Sequence, residues 1–273
     1  MEQKEDSIKK KESSMEQKEN SIKKKENNTE QKKQTALVTG ASSGIGLAIS
    51  EVLCQRGYLV YGLGRNFETP LFQQKKWEPG SFCPVVCDML KTEQLLKTVR
   101  QIAAEQPIEL LVNNAGAGYY GLHEELKPEK IMEMVRVNLE APMLLCRESL
   151  RSFKKNGGTI INISSVTAAE TNPHGCAYGA TKAGLASFTR SLFEESRKYG
   201  VRVAMISPDM TKTNLYRNAD FEQSEEEEAY LLPEEVARAV EFVLDQREGM
   251  VVSEIVLRPR LHRIKRKRQN QEK

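Results

Sequence analysis

The chain has 273 residues, with 41 Lys and Arg against 38 Asp and Glu, so its net charge is only +3. Apolar residues make up 39%, below the roughly 45–50% of an average globular chain, and the deficit is concentrated at the two ends. Residues 1–34 hold ten Lys and eight acids but only Met1, Ile8, Met15 and Ile22 as apolar side chains, while 258–273 hold eight Lys and Arg against one Glu. The 223 residues between them carry 23 basic and 29 acidic side chains, so the basic character belongs to the ends and not to the core. Such a core is long enough to bury a large interior. No run of 18 apolar residues occurs, so no transmembrane helix and no membrane partner is expected, nor is a secretory leader. Five Cys, at 54, 83, 87, 146 and 176, are odd in number and lack CxxC spacing. They suggest reduced thiols and a cytoplasmic location more than a disulfide framework. His123, His174 and His262 stand far apart without ligand spacing, so no metal site is expected.

In chain order, the first feature is a direct repeat: MEQKEDSIKKKESS is followed by MEQKENSIKKKENN. One apolar residue per seven is too few for a coiled coil, and a solvated, disordered arm over 1–34 is expected. From residue 35 short apolar runs alternate with helical stretches. Strands are expected at 35–39, 58–63, 82–86, 109–112, 159–163, 201–206 and 253–257, and helices at 45–56 and near 92–105, 129–152, 177–198 and 234–246. Pro128 and Pro233 stand where a first helical turn tolerates proline. Alternating strands and helices predict an α/β, Rossmann-like doubly wound parallel sheet of about seven strands with helices on both faces. The single domain is expected over 35–257, with its ligand along the strand C-termini. Residues 258–273 read as a basic tail, most simply a solvated one around Lys265–Arg268.

Two stretches carry chemistry. Thr39-Gly-Ala-Ser-Ser-Gly-Ile-Gly46 joins a strand to a helix. Gly40, Gly44 and Gly46 would permit a tight turn and close approach to a pyrophosphate, and the helix start would offer free N–H groups. Ser42, Ser43 and Ile45 belong to the same turn. Tyr178 and Lys182 are four residues apart and so share a helix face. Either stretch by itself could be incidental.

Together these residues resemble the short-chain dehydrogenase/reductase family over about 36–257. Thr39–Gly46 matches its TGxxxGxG motif, Asp88 its adenine-side acid, and Asn113-Asn114-Ala115-Gly116 its NNAG stretch. Asn138 matches the tetrad asparagine, and Ser165, thirteen residues before Tyr178, the tetrad serine, with Ser164 the adjacent alternative. Tyr178 and Lys182 match YxxxK, while Pro208 and Thr213 match the PGxxxT stretch near the nicotinamide. The resemblance implies an NAD(P)-dependent oxidoreductase that interconverts a small-molecule carbonyl compound and its alcohol. It also implies a homodimer or homotetramer, paired through the helices near 129–152 and 177–198. Tyr178 would be the general acid/base, with Ser165 holding the carbonyl oxygen. Lys182 would lower the phenol's pKa from its ordinary ~10 and hold the nicotinamide ribose. Asn138 would fix a water beside Lys182. A non-catalytic dinucleotide-binding regulator on the same fold is the alternative.

The second expected strand ends Gly64-Arg65 where an NAD-selective chain would carry an acid. A guanidinium there suits a 2′-phosphate, so NADP(H) is expected to be preferred, with NAD(H) possible and Glu68 solvated. Asp209 stands where the family has glycine, and the family's common VDGG end is absent. Tyr119, Tyr120 and His174 are candidates for the substrate pocket. Cys176 is not expected to act, and Glu225–Glu228 reads as a solvated face. No nucleic-acid module is visible.

Overall fold

The computed structural model describes residues 33–267. Nearly all of the 1–34 arm, and the tail beyond 267 including Arg268, lie outside the described residues, as do the expectations placed on them.

The first strand, β1 (Thr35–Thr39), is fully buried. Its alternation sends Leu37 into one hydrophobic core and Ala36 and Val38 into the other. A strand covered on both faces reads as a continuous apolar run, which is why TALVT stands out in the sequence. It is joined by β2 (Leu59–Gly64), β3 (Phe82–Val86), β4 (Leu110–Asn113), β5 (Gly158–Ile163), β6 (Val201–Pro208) and β8 (Glu254–Leu257). These seven strands form one sheet in the order β3-β2-β1-β4-β5-β6-β8, and every pairing is parallel. The chain winds outward from β1 to β3 and then returns to place β4 on the other side of β1. The crevice that binds ligands in such sheets therefore opens beyond the C-termini of β1 and β4.

Among the described residues seven α-helices accompany the sheet: α1 (Gly44–Gln55), α2 (Pro70–Gln73), α3 (Thr92–Glu105), α4 (Pro128–Val135), α5 (Ala141–Asn156), α6 (Cys176–Ser196) and α7 (Pro233–Leu244). One core is filled by Leu47 and Leu53 of α1 with Val236 and Val240 of α7. The other takes Leu95 of α3, Met134 of α4, Leu145 and Phe153 of α5, and Leu192 of α6. The sheet is thus covered on both faces. Pro128 and Pro233 occupy first-turn positions, as the sequence predicts. The single helix expected near 129–152 is instead interrupted by a π-helical turn, Arg136–Glu140. No helix of the described residues is long and apolar enough to cross a membrane.

The tail departs from expectation. Residues 221–223 form β7 (Phe221–Gln223), which pairs antiparallel with β9 (Ile264–Arg266) in a separate two-stranded sheet. Lys265 and Arg266 are therefore strand residues and not a free tail. Lys265 bridges Glu222 and Glu225 at 3.6 and 2.6 Å, Arg263 meets Glu226 at 2.6 Å, and Arg260 meets Glu228 at 3.0 Å. The Glu225–Glu228 run stays exposed, but three of its four acids face the tail's cations. Composition reveals two charged runs; only the backbone pairing shows that each neutralises the other. Exposed ion pairs contribute little individually, so the strand ladder fixes the register and the charges follow it.

Candidate active site

The turn between β1 and α1 is clamped from β4. Thr39 Oγ1 accepts hydrogen bonds from the backbone N–H groups of Asn114 and Ala115, both at 3.0 Å, and Asn114 Nδ2 donates to the Thr39 carbonyl at 2.9 Å. Gly40 and Gly44 have φ of +68° and +54°, the left-handed region that favours glycine. A Cβ on Gly46 would fall 2.3 Å from the Gly40 carbonyl oxygen, so Gly46 is fixed by packing and not by backbone angle. Ser43 stands at the N-cap of α1 without a side-chain capping bond, and the first turn holds no acid. Its N–H groups face the cleft as an anion cradle. On the far side, a Cβ on Gly44 would come within 3.1 Å of Thr213 Cγ2, so Thr213 leans over the turn. These features fit the diphosphate of a dinucleotide.

A cleft of about 340 Å³ runs from this turn in both directions. Toward β2 and β3 it is lined by Ser42, Gly64, Arg65 and Asp88. Arg65 is exposed at the strand end, while the Asp88 carboxylate accepts the Leu90 N–H at 3.0 Å. A Cβ on Gly64 would lie 3.0 Å from both Ser42 Oγ and Phe67 Cζ. The position of the missing acid is therefore also tight: a side chain there would need Ser42 or Phe67 to shift by a few tenths of an ångström, a point the sequence could not show. Glu68 is exposed past the strand end.

Toward β5 and α6 the lining passes through Ala115 and Gly116 to Ser165, Tyr178, Lys182 and Pro208. Tyr178 is 5% exposed and Lys182 4%. Lys182 Nζ donates to the Ile163 carbonyl at 2.9 Å and stands 5.9 Å from the Tyr178 ring centroid. Burial pushes the Tyr178 phenol up to about 12, opposed by the Ser165 hydroxyl, and pushes Lys182 down to about 8. The lowering of the Tyr178 pKa expected from Lys182 is thus not seen in this arrangement, where desolvation raises the phenol and the Ser165 hydroxyl is what opposes it. Ser165 Oγ accepts from Thr167 N and Oγ1, whereas Ser164 Oγ donates to the Lys182 carbonyl at 3.3 Å. Of the two serines, Ser165 is the one whose hydroxyl opposes the rise of the phenol's pKa.

Asn138 lies in the π-helical turn, fully buried behind the cleft. Its Oδ1 accepts the Ala117 N–H at 2.8 Å, and its Nδ2 donates to the Ala117 carbonyl at 2.9 Å and to Thr181 Oγ1 at 3.0 Å. Both amide protons and the oxygen are engaged, so the carboxamide braces the loop after β4 against α6.

All the sequence-predicted site residues line the cleft except Asn138 and Gly46, which pack behind it. The additional candidates divide. Tyr120 packs on Tyr178 with ring centroids 5.6 Å apart, whereas Tyr119 turns away and donates to Glu133 at 2.9 Å. His174 is exposed at φ +62°, its carbonyl accepting the Gly121 N–H at 2.7 Å. Cys176 is also exposed. Asp209 Oδ1 accepts the Met210 N–H and Oδ2 lies 3.7 Å from Arg258, which also pairs with Glu170. The acid that replaces the family's glycine is thereby matched by a cation just past β8. Tyr216 also lines the cleft. It was not anticipated, and only its aromatic character within the segment after Thr213 could have marked it.

A doubly wound sheet with a glycine turn at its switch point and a Tyr–Lys helix across the cleft defines a class, and comparison gives it a family. The family model for short chain dehydrogenases matches residues 34–224. The chain is 34% identical over 181 residues to carbonyl reductase family member 4 of Danio rerio, covering 66% of this chain and 76% of that one. It is 32% identical over 228 residues to a 3-oxoacyl-[acyl-carrier-protein] reductase of Rickettsia bellii, covering 81% and 93%. Among solved structures, an alcohol dehydrogenase from the archaeon Thermococcus sibiricus complexed with 5-hydroxy-NADP superposes with a TM-score of 0.74 at 28% identity, covering 85% of this chain and 98% of that one. The chain belongs to the short-chain dehydrogenase family and is an oxidoreductase of that family.

Proposed function

We propose that the chain interconverts a carbonyl compound and its alcohol, with NADPH preferred over NADH. The observation that carries this reading is that Ser165, Tyr178 and Lys182 line the same cleft as the glycine turn and Arg65. The structural relative with a bound NADP analogue supports the cofactor choice. Bound in the cleft, the reduced nicotinamide would supply the hydride. Tyr178, neutral because its hydroxyl is buried, delivers its proton to the carbonyl oxygen during reduction and recovers one in the reverse direction. Ser165 donates a hydrogen bond to that oxygen as charge develops on it. Lys182 holds the ribose hydroxyls and keeps an ammonium one helical turn from the phenol. Gly40, Ser42, Ser43, Gly44 and Ile45 hold the diphosphate, and Arg65 pairs with the 2′-phosphate in a fork.

The assembly we propose is a homodimer or homotetramer packed through α4–α5 and α6. The exposure of Met132, Val135 and Met143 along the first of these supports it, and light scattering on the purified chain tests it. The odd number of cysteines and their lack of CxxC spacing favour the cytosol as compartment.

The test of function is a panel of carbonyl compounds with both reduced cofactors, followed at the nicotinamide absorbance in wild type and Tyr178→Phe. Expected are turnover with NADPH, a loss of at least ~10²-fold in Tyr178→Phe and near-unchanged NADPH binding in that variant. Near wild-type rates in Tyr178→Phe would overturn the assigned proton donor.

A further inference from the structure

Tyr178 and Tyr216 line the cleft, and an aromatic cluster continues behind them. Tyr120 lies 5.6 Å from the Tyr178 ring, 5.9 Å from Tyr216 and 5.2 Å from Phe221, and Tyr216 and Phe221 are 5.5 Å apart. All three wall rings are only half-buried. Tyr216 and Phe221 belong to neither hydrophobic core, so packing of the interior does not account for them. The seat of Tyr120 is built: a Cβ on Gly118 would fall 2.9 Å from Tyr120 Cε2 and 3.1 Å from its hydroxyl. Half-exposed rings contiguous with the proposed proton donor offer apolar area and flat faces to whatever carbonyl compound lies there.

The two carboxylates at this end are already matched by cations. Glu133 is bridged by Lys130 at 3.0 Å, Asp209 faces Arg258, and the Arg217 guanidinium donates back to the Asn214 carbonyl at 3.1 Å. An anionic substrate would find the Asp209 carboxylate in the cleft lining and uncharged rings along the wall. The two wall phenols stay neutral, because burial raises both their pKa values, with the Asp209 charge adding to the rise at Tyr216.

The wall is also held from outside the catalytic core. Lys267 Nζ donates to the carbonyls of Tyr216 and Arg217 at 2.8 and 3.3 Å, and its N–H donates to the Asp220 carbonyl at 2.7 Å. Phe221 itself is paired opposite Arg266 in the β7–β9 ladder. The segment bearing Tyr216 and Phe221 is closed at its base, where Lys212 N–H donates to the Leu231 carbonyl at 2.8 Å. The C-terminal strand thus fixes two of the three rings.

We infer that Tyr120, Tyr216 and Phe221 are the specificity wall of this enzyme. They select uncharged carbonyl compounds with a flat aromatic or alicyclic body, and Lys267 is a positioning residue for that wall. The inference rests on the proposed carbonyl chemistry at Tyr178 and names its substrate class.

The experiment uses the full chain with NADPH and two probes, 1-tetralone as an uncharged bicyclic ketone and acetoacetate as an anionic one. Binding of each probe to the NADPH complex of Tyr178→Phe is followed by ligand-observed NMR, and kcat and KM are measured in wild type. Expected are binding of 1-tetralone and a kcat/KM for it at least tenfold above that for acetoacetate. Tyr216→Ala and Phe221→Ala should each raise its KM about tenfold while leaving NADPH affinity within twofold, and Tyr216→Phe should retain most of the wild-type value. Lys267→Met should raise KM severalfold with kcat little changed, and Lys267→Arg should restore it. Failure of 1-tetralone to bind, preference for acetoacetate, or indifference of KM to both alanine variants overturns the wall. Continued turnover in Tyr178→Phe overturns the proposed proton donor instead, and the probe preference in wild type still decides the wall.

Discussion

Asn114 closes over Gly46: a Cβ placed on Gly46 would stand 2.4 Å from Asn114 Nδ2 and 2.3 Å from the Gly40 carbonyl oxygen. The same carboxamide donates to the Thr39 carbonyl, so turn, helix and β4 are locked at one point. Gly46→Ala must push backbone or break that bond. Overpacking of this kind costs ~1–3 kcal/mol, and the displaced turn should also lose dinucleotide affinity. Gly57 serves as the control. Its φ of +84° strains an alanine, but nothing lies within 4 Å of its Cβ position. Urea unfolding with cofactor titration should therefore show Gly57→Ala losing some stability and no affinity, and Gly46→Ala losing both.

Thr39 gives a second test of the same clamp. Its Oγ1 accepts two backbone N–H groups, those of Asn114 and Ala115. Leaving buried donors unsatisfied costs ~1–3 kcal/mol. Thr39→Val, nearly isosteric, should lose stability on that order, and Thr39→Ser should recover most of it. Equal melting temperatures for the valine and serine variants would remove the hydroxyl from the account.

The seven-stranded sheet, its element order and most of the cleft lining could be read from the chain, because each rests on local signals. Thr35–Thr39 is apolar without interruption, glycines follow at fixed spacing, and the Tyr178–Lys182 pair sits one helical turn apart. What could not be read depends on long-range pairing. Nothing local in Ile264–Arg266 marks a strand; it becomes one by adding to Phe221–Gln223. The π-helical turn was invisible for a related reason, since the bonds that fix Asn138 come from Ala117 and Thr181 rather than from its own helix. The direction of the Tyr178 shift required knowing how deeply the pair is buried, and spacing alone suggested the reverse.

The 2′-phosphate assignment makes a divided prediction. Arg65→Ala should weaken NADPH binding roughly ten- to hundredfold, in keeping with ~1.5–3 kcal/mol for a charge-assisted contact, and leave NADH nearly unchanged. Gly64→Asp would be the obvious route to an NAD enzyme in this fold, but the added Cβ would meet Ser42 Oγ and Phe67 Cζ at 3.0 Å. It should lose NADPH affinity and melt lower, without gaining the NADH affinity that an acid confers where there is room. A clean switch to NADH with unchanged melting temperature would show that Ser42 and Phe67 give way freely.

The buried Tyr178–Lys182 pair should leave a signature in the pH dependence of stability of the cofactor-free chain. Burial lowers Lys182 to about 8 in the fold, against ~10.4 when unfolded. Between those values the unfolded chain holds a proton that the folded chain has released, so stability rises with pH. The contribution is complete above the unfolded pKa and is lost as pH falls through about 8. Tyr178 acts in the opposite sense, being raised to about 12 in the fold against ~10 unfolded. Its contribution is complete below about 10 and is lost as pH climbs toward 12. The pair alone therefore predicts stability that increases from pH 8 to about 10 and declines beyond it. At ~1.4 kcal/mol per pKa unit, the Lys182 part is on the order of 3 kcal/mol. Other groups titrate in the same range, so the quantity to read is the difference between wild type and variant. Lys182→Met should abolish the rise between pH 8 and 10 whatever constant offset it adds through losing the bond to the Ile163 carbonyl, and Tyr178→Phe should abolish the later fall. Parallel stability curves for wild type and Lys182→Met across pH 7–10 would mean that the ammonium is solvated in the folded chain and that its burial does not lower its pKa.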